Sequence, residues 1–313
     1  MQPQMDARLQ RLPDGRRAGG TLRHGCKAAG LWLSQGRWLG RPTALAGVAG
    51  MGIMQAEDSL YSLRLAASAQ DVAAAQRLRY DVFVRELGAD GPFADHQAGV
   101  ERDAFDAISD HLLLIDSRAD PALGRHVVGA YRLLPSDRLG AGGRFYSEDE
   151  YDLEPLRRSG RRLLELGRSC VHPDHRGGTG MFRLWNGLAD YVLERGIEVL
   201  FGVASFHGTD LDALALPLSY LGHHHLAPPD MRVRALPPHR AELVQIPAEH
   251  LDRRAAMAAM PALIKAYLRL GGCVGDGAWV DHAFNTTDVC LVMDTGRMSA
   301  RHRDFYTRKK AAP

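Results

Sequence analysis

Apolar residues along the chain follow two spacings, one typical of strands and the other typical of helices. Short apolar runs of strand length occur at 59–66, 111–116, 127–134, 163–171, 197–205 and 289–293. Segments of helical period lie at 71–87, 181–195, 209–221, where Pro217 is expected to interrupt the helix, and 262–270. Strands lead and helices intervene, so the pattern predicts an α/β fold with a central mixed β-sheet flanked by helices.

The segment from Leu163 to Gly196 predicts a strand, a glycine-rich turn and an amphipathic helix. Pro173 ends the strand, and three glycines, Gly177, Gly178 and Gly180, shape the turn before the helix. A helix N-terminus offers unpaired N–H groups and a partial positive charge, and Arg176 adds a full charge beside it. We therefore expect a phosphorylated group to bind here.

Several charged residues interrupt otherwise apolar elements. Arg79 falls on the inward stripe of the first helix, where an arginine is costly unless it is paired, so we expect an acid to meet it inside. Arg132 is a second isolated arginine, and the central strand carries two further charged residues. The acids Glu101, Asp103 and Asp106 and the strand residues Glu165 and Arg168 complete a polar site of both signs.

Strand geometry restricts the pair on the central strand. Glu165 and Arg168 are three residues apart, and a regular strand directs such residues to opposite faces. Gly167 between them predicts a β-bulge that changes this alternation.

Charge and composition limit the function and location of the chain. The 313 residues carry a formal net charge of +2, which implies no general attraction to nucleic acid. Residues 1–56 hold eight Lys or Arg and two Asp, so we interpret them as a basic, poorly ordered extension attracted to anionic lipid. The four unpaired cysteines favour the cytoplasm, and no apolar run is long enough to span a membrane. The domain is expected over 57–295, followed by a basic tail at 296–313.

An ordered series of motifs resembles two related acyltransferase families. The acyl-homoserine-lactone synthases carry R-x-x-x-F, E-x-D-x-F-D, G-x-x-R, a phenylalanine and E-x-S/G-R, in that order. The corresponding residues here are Arg79 and Phe83, then Glu101, Asp103, Phe105 and Asp106, then Gly129 and Arg132, then Phe145, and then Glu165 and Arg168. The segments FYSEDEYDL, LSYLGHHHLAP and GAWVDHAFNTTDV are more similar to the bacterial ornithine Nα-acyltransferases, over about 58–293.

The resemblance implies a GNAT fold and a specific reaction. It implies transfer of a 3-hydroxyacyl group from an acyl-carrier-protein thioester to the α-amine of L-ornithine, with no bound cofactor or metal. Glu101 or Glu165 is then the candidate base, with Asp103, Asp106 and Arg168 in the catalytic group, and Arg79, Phe83, Arg132 and Phe145 in support. Arg176, Gly177, Gly178 and Gly180 resemble the pantetheine-phosphate loop. Thr179 and Met181 depart from its small-residue pattern, and this agrees with acyl carrier protein as the donor.

Other motifs are weaker. His111 and Asp116 match an H-x4-D pattern, but residues five apart on a strand face opposite sides. Cys170 on an apolar strand is expected to be a small buried residue, and three adjacent histidines, 223–225, cannot share one metal ion. Two alternatives remain: synthesis of another N-acyl amino acid or a lactone, or a non-catalytic module that binds acyl carrier protein or lipid.

Overall fold

A nine-stranded mixed sheet runs through the computed structural model, which describes residues 60–176 and 180–297. The strands of this part of the chain are β1 (Tyr61–Leu65), β2 (Ala94–Asp95), β3 (Val100–Glu101), β4 (Asp110–Asp116), β5 (Val127–Pro135), β6 (Tyr151–Asp152), β7 (Leu163–Val171), β8 (Val199–His207), β9 (Arg234–Ala235), β10 (Arg240–Ala241), β11 (Cys273–Val274), β12 (Ala278–Asp281) and β13 (Thr286–Asp294). The sheet order is β1-β4-β5-β7-β8-β13-β12-β10, with β11 also on β13.

Helices cover both faces of the sheet. They are α1 (Ala69–Arg79), which continues as a π-helical segment (Tyr80–Glu86), α2 (Glu154–Arg158), α3 (Gly180–Arg195), α4 (Leu211–His224), α5 (Arg253–Ala259) and α6 (Ala262–Arg269). Ser68 caps α1 by accepting a hydrogen bond from the Asp71 amide. No helix of the described residues is long and apolar enough to cross a membrane.

The two faces of the sheet bury different clusters. One face packs against α3, α4 and α6 through Leu112, Leu133, Leu164 and their neighbours. The other face, which we call the polar face, packs against α1 around Leu113 and against a second cluster around Phe201. Charged side chains lie on the polar face between these two apolar clusters, and the next subsection describes them.

A bulge in β7 and the end of the β7–β8 ladder lie side by side. Arg132 of β5 pairs with Gly167, whereas Ala130 pairs with Cys170, so β7 contains one extra residue. Arg168 within this bulge has a φ of 52°, in the left-handed region. The β7–β8 pair is parallel, and its ladder runs from Leu163 with Val199 to Glu165 with Phe201. Pairing between β7 and β8 therefore ends beside the bulge of β7 that carries Arg168.

Most predicted elements are confirmed, including the mixed sheet and the bulge, and the differences are local. Helix α4 passes through Pro217 without interruption, because flanking turns keep the helix intact around one missing N–H. Residues 88–108, where the sequence predicts neither strand nor helix, contain the β2–β3 hairpin and a 3₁₀ turn at Ala104–Ile108. The short elements α2, α5 and β12 carry too few residues for a periodic pattern.

Candidate active site

Three arginines and three carboxylates form a buried network on the polar face of the sheet. Arg79 is 1 % exposed and donates to the Glu101 carboxylate at 2.5 Å and to both Asp106 oxygens at 2.6 and 2.8 Å. Arg132 donates to Asp103 at 2.5 Å and to Asp106 at 3.1 Å. The charges balance within the network, so each buried ion has a partner of opposite sign.

Local structure places the acids opposite the arginines. Asp103 caps the 3₁₀ turn at Ala104–Ile108 by accepting from the Phe105 amide, and Asp106 accepts from the Asp103 amide. Glu101 is the last residue of β3 and lies just before this turn in the chain. Burial raises the pKa of Asp106, but hydrogen bonds from Arg79 and the charges of Arg79 and Arg132 outweigh it and hold that pKa well below its usual range. Asp106 is therefore a permanent anion.

Arg168 joins the network from the bulge. Its Nε donates to Glu101 at 3.0 Å and its Nη2 lies 3.4 Å from Asp103. Its guanidinium carbon lies 4.7 Å from the ring centre of Tyr146 and 5.5 Å from that of Phe93. The left-handed backbone at Arg168 directs its side chain to the same face as Glu165, as the predicted bulge requires.

Glu165 is buried beside the network but has different partners. Its oxygens accept from the backbone N–H groups of Tyr146 at 2.9 Å and Ser147 at 2.6 Å. Burial raises the pKa of Glu165, and those hydrogen bonds oppose the rise. The two candidate bases therefore differ, since arginines hold both Glu101 oxygens whereas backbone amides hold Glu165.

The two predicted aromatic residues lie outside the ion network. Phe145 is 1 % exposed and its ring meets Phe201 edge to face, with 4.9 Å between centroids. Phe83 lies in the π-helical segment and packs against the cluster under α1. Both contribute packing that fixes the elements around the site.

The predicted phosphate loop lies at the start of α3. Arg176 donates from Nε to the Val171 carbonyl at 2.8 Å and pairs with Glu86 at 2.5 and 2.6 Å. Gly180 begins α3, and a Cβ there would lie 3.1 Å from the His175 carbonyl oxygen. Gly177 and Gly178 lie outside the described residues. The role of all four in binding phosphate stays a prediction.

An apolar pocket opens where β7 and β8 stop pairing. It lies on the α6 side of the sheet, and its lining includes Tyr131, Leu166, Ala204, Leu263 and Tyr267. The Tyr131 and Tyr267 hydroxyls lie 2.6 Å apart. Gly202 borders the pocket, and a Cβ there would lie only 2.2 Å from the Leu166 carbonyl oxygen, so the close approach of β8 to β7 requires glycine.

The weaker motifs have structural partners of their own. His111 lies 3.1 Å from the Asp106 carbonyl and Asp116 pairs with Arg118, so they form no dyad. Cys170 is fully buried, and burial raises the pKa of its thiol to about 12, so it is not a ready nucleophile. His223 contacts the Ile246 carbonyl. Within residues 60–176 and 180–297 no cluster of His, Cys, Asp or Glu is placed to hold a metal ion.

Sequence reasoning assigned no role to three residues on the polar face. Tyr146 stacks on Arg168, and Glu150 and Asp288 are buried carboxylic acids outside the network. Asp288 lies between two threonines and the apolar run Val289–Met293, so its position carries a much weaker signal than that of Arg132 inside β5. Tyr146 and Glu150 lie in FYSEDEYDL, whose resemblance was noted without a role for either residue.

Comparison with known proteins gives consistent relatives. A family model described as an acetyltransferase (GNAT) domain matches residues 78–186. A Rhodobacter capsulatus protein named L-ornithine N(alpha)-acyltransferase is 62% identical over 256 residues, which cover 82% of this chain and 98% of that protein. A Brucella abortus protein of the same name is 42% identical over 247 residues, 78% of this chain and 88% of that protein.

Solved structures show lower similarity. A CoA-dependent acyl-homoserine lactone synthase, BjaI, aligns with a TM-score of 0.43 and 16% identity, over 81% of this chain and 90% of that one. Another such synthase, MesI, aligns with a TM-score of 0.42 and 15% identity, over 80% of this chain and 96% of that one.

Proposed function

Because this chain belongs to the L-ornithine N(alpha)-acyltransferase family, we propose that it transfers a 3-hydroxyacyl group from acyl carrier protein to the α-amine of L-ornithine and forms lyso-ornithine lipid. The relative that shares 62% of its residues is the observation that carries the proposal. The buried polar network beside an apolar pocket supports it, since acyl transfer to an amino acid needs both environments.

The reaction joins an amine to a thioester carbon. The neutral α-amine attacks the carbonyl and forms the C–N bond. The C–S bond then breaks, the amine loses a proton, and the pantetheine sulfur leaves and takes up a proton as a thiol. The protein must therefore accept a proton, stabilise the negative oxygen of the intermediate and hold both substrates in contact.

The end of the β7–β8 ladder is suited to the carbonyl. Among the described strands, ladder pairing between β7 and β8 stops at Glu165 and Phe201, so the N–H groups beyond it that face β8 can donate to a developing oxyanion. The pocket beside Leu166 is small and lined mainly by apolar side chains, which suits the part of an acyl chain next to the carbonyl. We place the thioester at this gap, the acyl chain on the α6 side and ornithine on the polar face.

Two carboxylates compete as proton acceptor, directly or through water. Burial raises the pKa of Glu165, which makes this carboxylate a stronger base than an ordinary glutamate. Glu101 lies within the arginine network and fixes Arg168 through its Oε1 atom. Asp103 and Asp106 act on the reaction through the arginines that they hold. No metal or covalent enzyme intermediate takes part in this proposal.

Product analysis by mass spectrometry tests the proposed function. The full chain is incubated with 3-hydroxyacyl-acyl carrier protein or the matching acyl-coenzyme A, and with L-ornithine or S-adenosylmethionine. We expect an ornithine amide, with fragmentation placing the acyl group on the α-nitrogen, and faster turnover with the carrier protein. A lactone product, or turnover only with coenzyme A, would contradict the proposed acceptor or donor. Binding of the donor without turnover would indicate the non-catalytic module.

Replacing Arg176 with alanine should raise the KM for the acyl donor by about 10-fold or more and change the KM for ornithine little. The reason is that Arg176 lies beside the N-terminus of α3, where a pantetheine phosphate is expected. Steady-state kinetics with each substrate varied in turn measures the effect. Arg195→Ala is the matched control, because Arg195 pairs with Asp110 at the opposite end of the same helix. A rise confined to ornithine would remove this loop from the donor site.

We also propose that residues 1–56 draw the protein to the inner face of the membrane, and that the catalytic domain begins near 57 and ends near 295. Each Lys or Arg close to anionic headgroups contributes about 1 kcal/mol. The full chain should sediment with anionic vesicles, more weakly as salt rises, while a chain lacking 1–50 should remain in the supernatant and keep its turnover. Equal sedimentation of both would refute the membrane role, and a truncated chain that cannot fold would refute the boundary.

A further inference from the structure

Two buried carboxylic acids on the polar face take no part in the arginine network. Glu150 is 5 % exposed and Asp288 is 4 % exposed. The Glu150 Oε2 atom and the Asp288 Oδ1 atom are both shielded from solvent and accept no hydrogen bond from the described residues. Buried polar atoms of folded proteins are nearly always paired, so two unpaired acid oxygens mark a place where a hydrogen-bond donor would be favourable.

The two acids belong to one small region. Glu150 immediately precedes Tyr151 at the start of β6, and the Tyr151 hydroxyl lies 2.9 Å from the backbone oxygen of Asp288. Asp288 lies in β13, and the Asp281 side chain of β12 faces the same side. Burial raises the pKa of Glu150 well above its usual value, and the charges of Asp288 and Asp281 raise it further. Glu150, Asp281 and Asp288 therefore lie close enough for their charges to interact.

The same region borders the reaction centre. Asp288 pairs with Ser205 of β8, four residues beyond the point where the β7–β8 ladder ends. The charge of Arg168 lowers the pKa of Glu150, yet Arg168 gives its hydrogen bonds to Glu101 and Asp103. Arg168 therefore acts on Glu150 through its charge without donating a hydrogen bond to it, and a second cation would find acceptors at the two acids.

We propose that Glu150 and Asp288 bind the δ-ammonium of the ornithine acceptor and so select an amino acid with a basic side chain. This inference rests on the proposed function. The α-amine meets the thioester at the gap between β7 and β8, and the aliphatic part of ornithine leads from there along the polar face to the acids. An ammonium group donates three hydrogen bonds, so it can satisfy both unpaired oxygens at once.

Selectivity follows from the cost of leaving the acids unpaired. Burial disfavours carboxylate charge in this site and raises the pKa of Asp288 to about 7. Ornithine brings a positive charge and hydrogen-bond donors to it. Norvaline has the same carbon skeleton without the δ-amine, and it brings no donor to the Glu150 Oε2 and Asp288 Oδ1 atoms. A site built for a hydrogen-bonding group rejects an analogue that lacks it, so ornithine should be preferred by about 100-fold or more in kcat/KM.

Acceptor kinetics of two isosteric variants test the inference. Glu150→Gln and Asp288→Asn are compared with the wild type, using ornithine and norvaline as acceptors and one fixed acyl donor. Each variant should raise the KM for ornithine by about 10- to 100-fold, leave norvaline nearly unchanged and thereby reduce the preference for ornithine. Glu154→Gln is the matched control, because Glu154 is exposed and pairs only with Arg158 among the described residues, and its preference should equal that of the wild type.

Thermal unfolding with and without each amino acid provides a second measurement that needs no turnover. Removing an unpaired buried carboxylate should keep or raise the Tm of the free variants. Ornithine should raise the Tm of the wild type and the Glu154→Gln control more than norvaline does, and this difference should shrink in Glu150→Gln and Asp288→Asn.

The outcomes separate this inference from the proposed function. If the wild type acylates ornithine while both variants keep the full preference over norvaline, the inference is refuted and the function stands. An equal fall in kcat for both acceptors, with the preference intact, would also refute it and assign the acids to proton transfer. If the wild type does not acylate ornithine, the proposed function fails, and the ornithine-dependent Tm shifts alone support or refute the ammonium site.

Discussion

Replacing Arg79 with methionine should lower the free energy of unfolding by about 3–5 kcal/mol, one of the largest effects expected from a single substitution in this chain. Methionine fills much of the same volume but leaves the buried carboxylates of Glu101 and Asp106 without their main donor. Arg79→Lys should recover only part of the loss, because one ammonium cannot reproduce the bidentate contact with Asp106. Urea unfolding followed by circular dichroism measures both variants.

An exposed ion pair provides the control for this prediction. Arg158 pairs with Glu154 on the surface of α2, and Arg158→Ala should change the free energy of unfolding by less than about 1 kcal/mol. A similarly small change in Arg79→Met would mean that water enters the network and replaces the arginine, and the network would then not be a buried one.

Glu101→Gln should retain the fold and lose about 100- to 10,000-fold in turnover, because glutamine cannot accept the amine proton and holds Arg168 less firmly. Glu165→Gln is measured in parallel, with Glu198→Gln as an exposed control. The variant that lacks the true proton acceptor should have a strongly reduced kcat with every acyl donor. The variant that lacks a supporting residue should show a smaller reduction in kcat. Near-normal turnover in purified Glu101→Gln would remove Glu101 from the mechanism.

The pH profile distinguishes the two glutamates further. A base acts when it is deprotonated, so kcat/KM should rise as the pH increases through the pKa of the proton acceptor and should decrease as the pH drops below that pKa. Burial raises the pKa of Glu165, so a Glu165 acceptor would place the acid limb of the wild-type profile above the usual range of a glutamate. That limb should disappear in Glu165→Gln and persist in Glu101→Gln if Glu165 is the base.

The sequence predicted the sheet and the charged network well because both produce strong local patterns. The strands β4 and β5 are largely apolar, Arg132 is conspicuous within β5, and Arg79 is conspicuous on the inward stripe of α1. Arg79 meets two acids inside, as its place on the inward stripe predicted. The bulge was also predictable, since Glu165 and Arg168 could share a face only with one extra residue between them.

Sequence patterns could not predict which groups pair with each carboxylate of the site. The sequence ranked Glu101 and Glu165 together, but arginines hold one and the amides of Tyr146 and Ser147 hold the other. Glu150 and Asp288 come together only because the β6 segment lies against β13, and these two positions are more than a hundred residues apart. Long-range packing of this kind leaves no periodic signal in either segment.

The bulge also sets the parity of everything that follows it in β7. Gly167 and Cys170 face the same side of the sheet although they are three residues apart, a spacing that places residues of a regular strand on opposite sides. Val171 consequently faces α3. Deleting Ser169 would let β7 pair regularly with β5, with Arg168 opposite Tyr131 and with Cys170 and Val171 still opposite Ala130 and Gly129. Cys170 and Val171 would keep their sides of the sheet, but the Arg168 side chain would turn towards the α3 side, away from Glu101. The extra residue in β7 therefore keeps the Arg168 charge on the polar face without changing how the strand leaves the sheet towards Arg176.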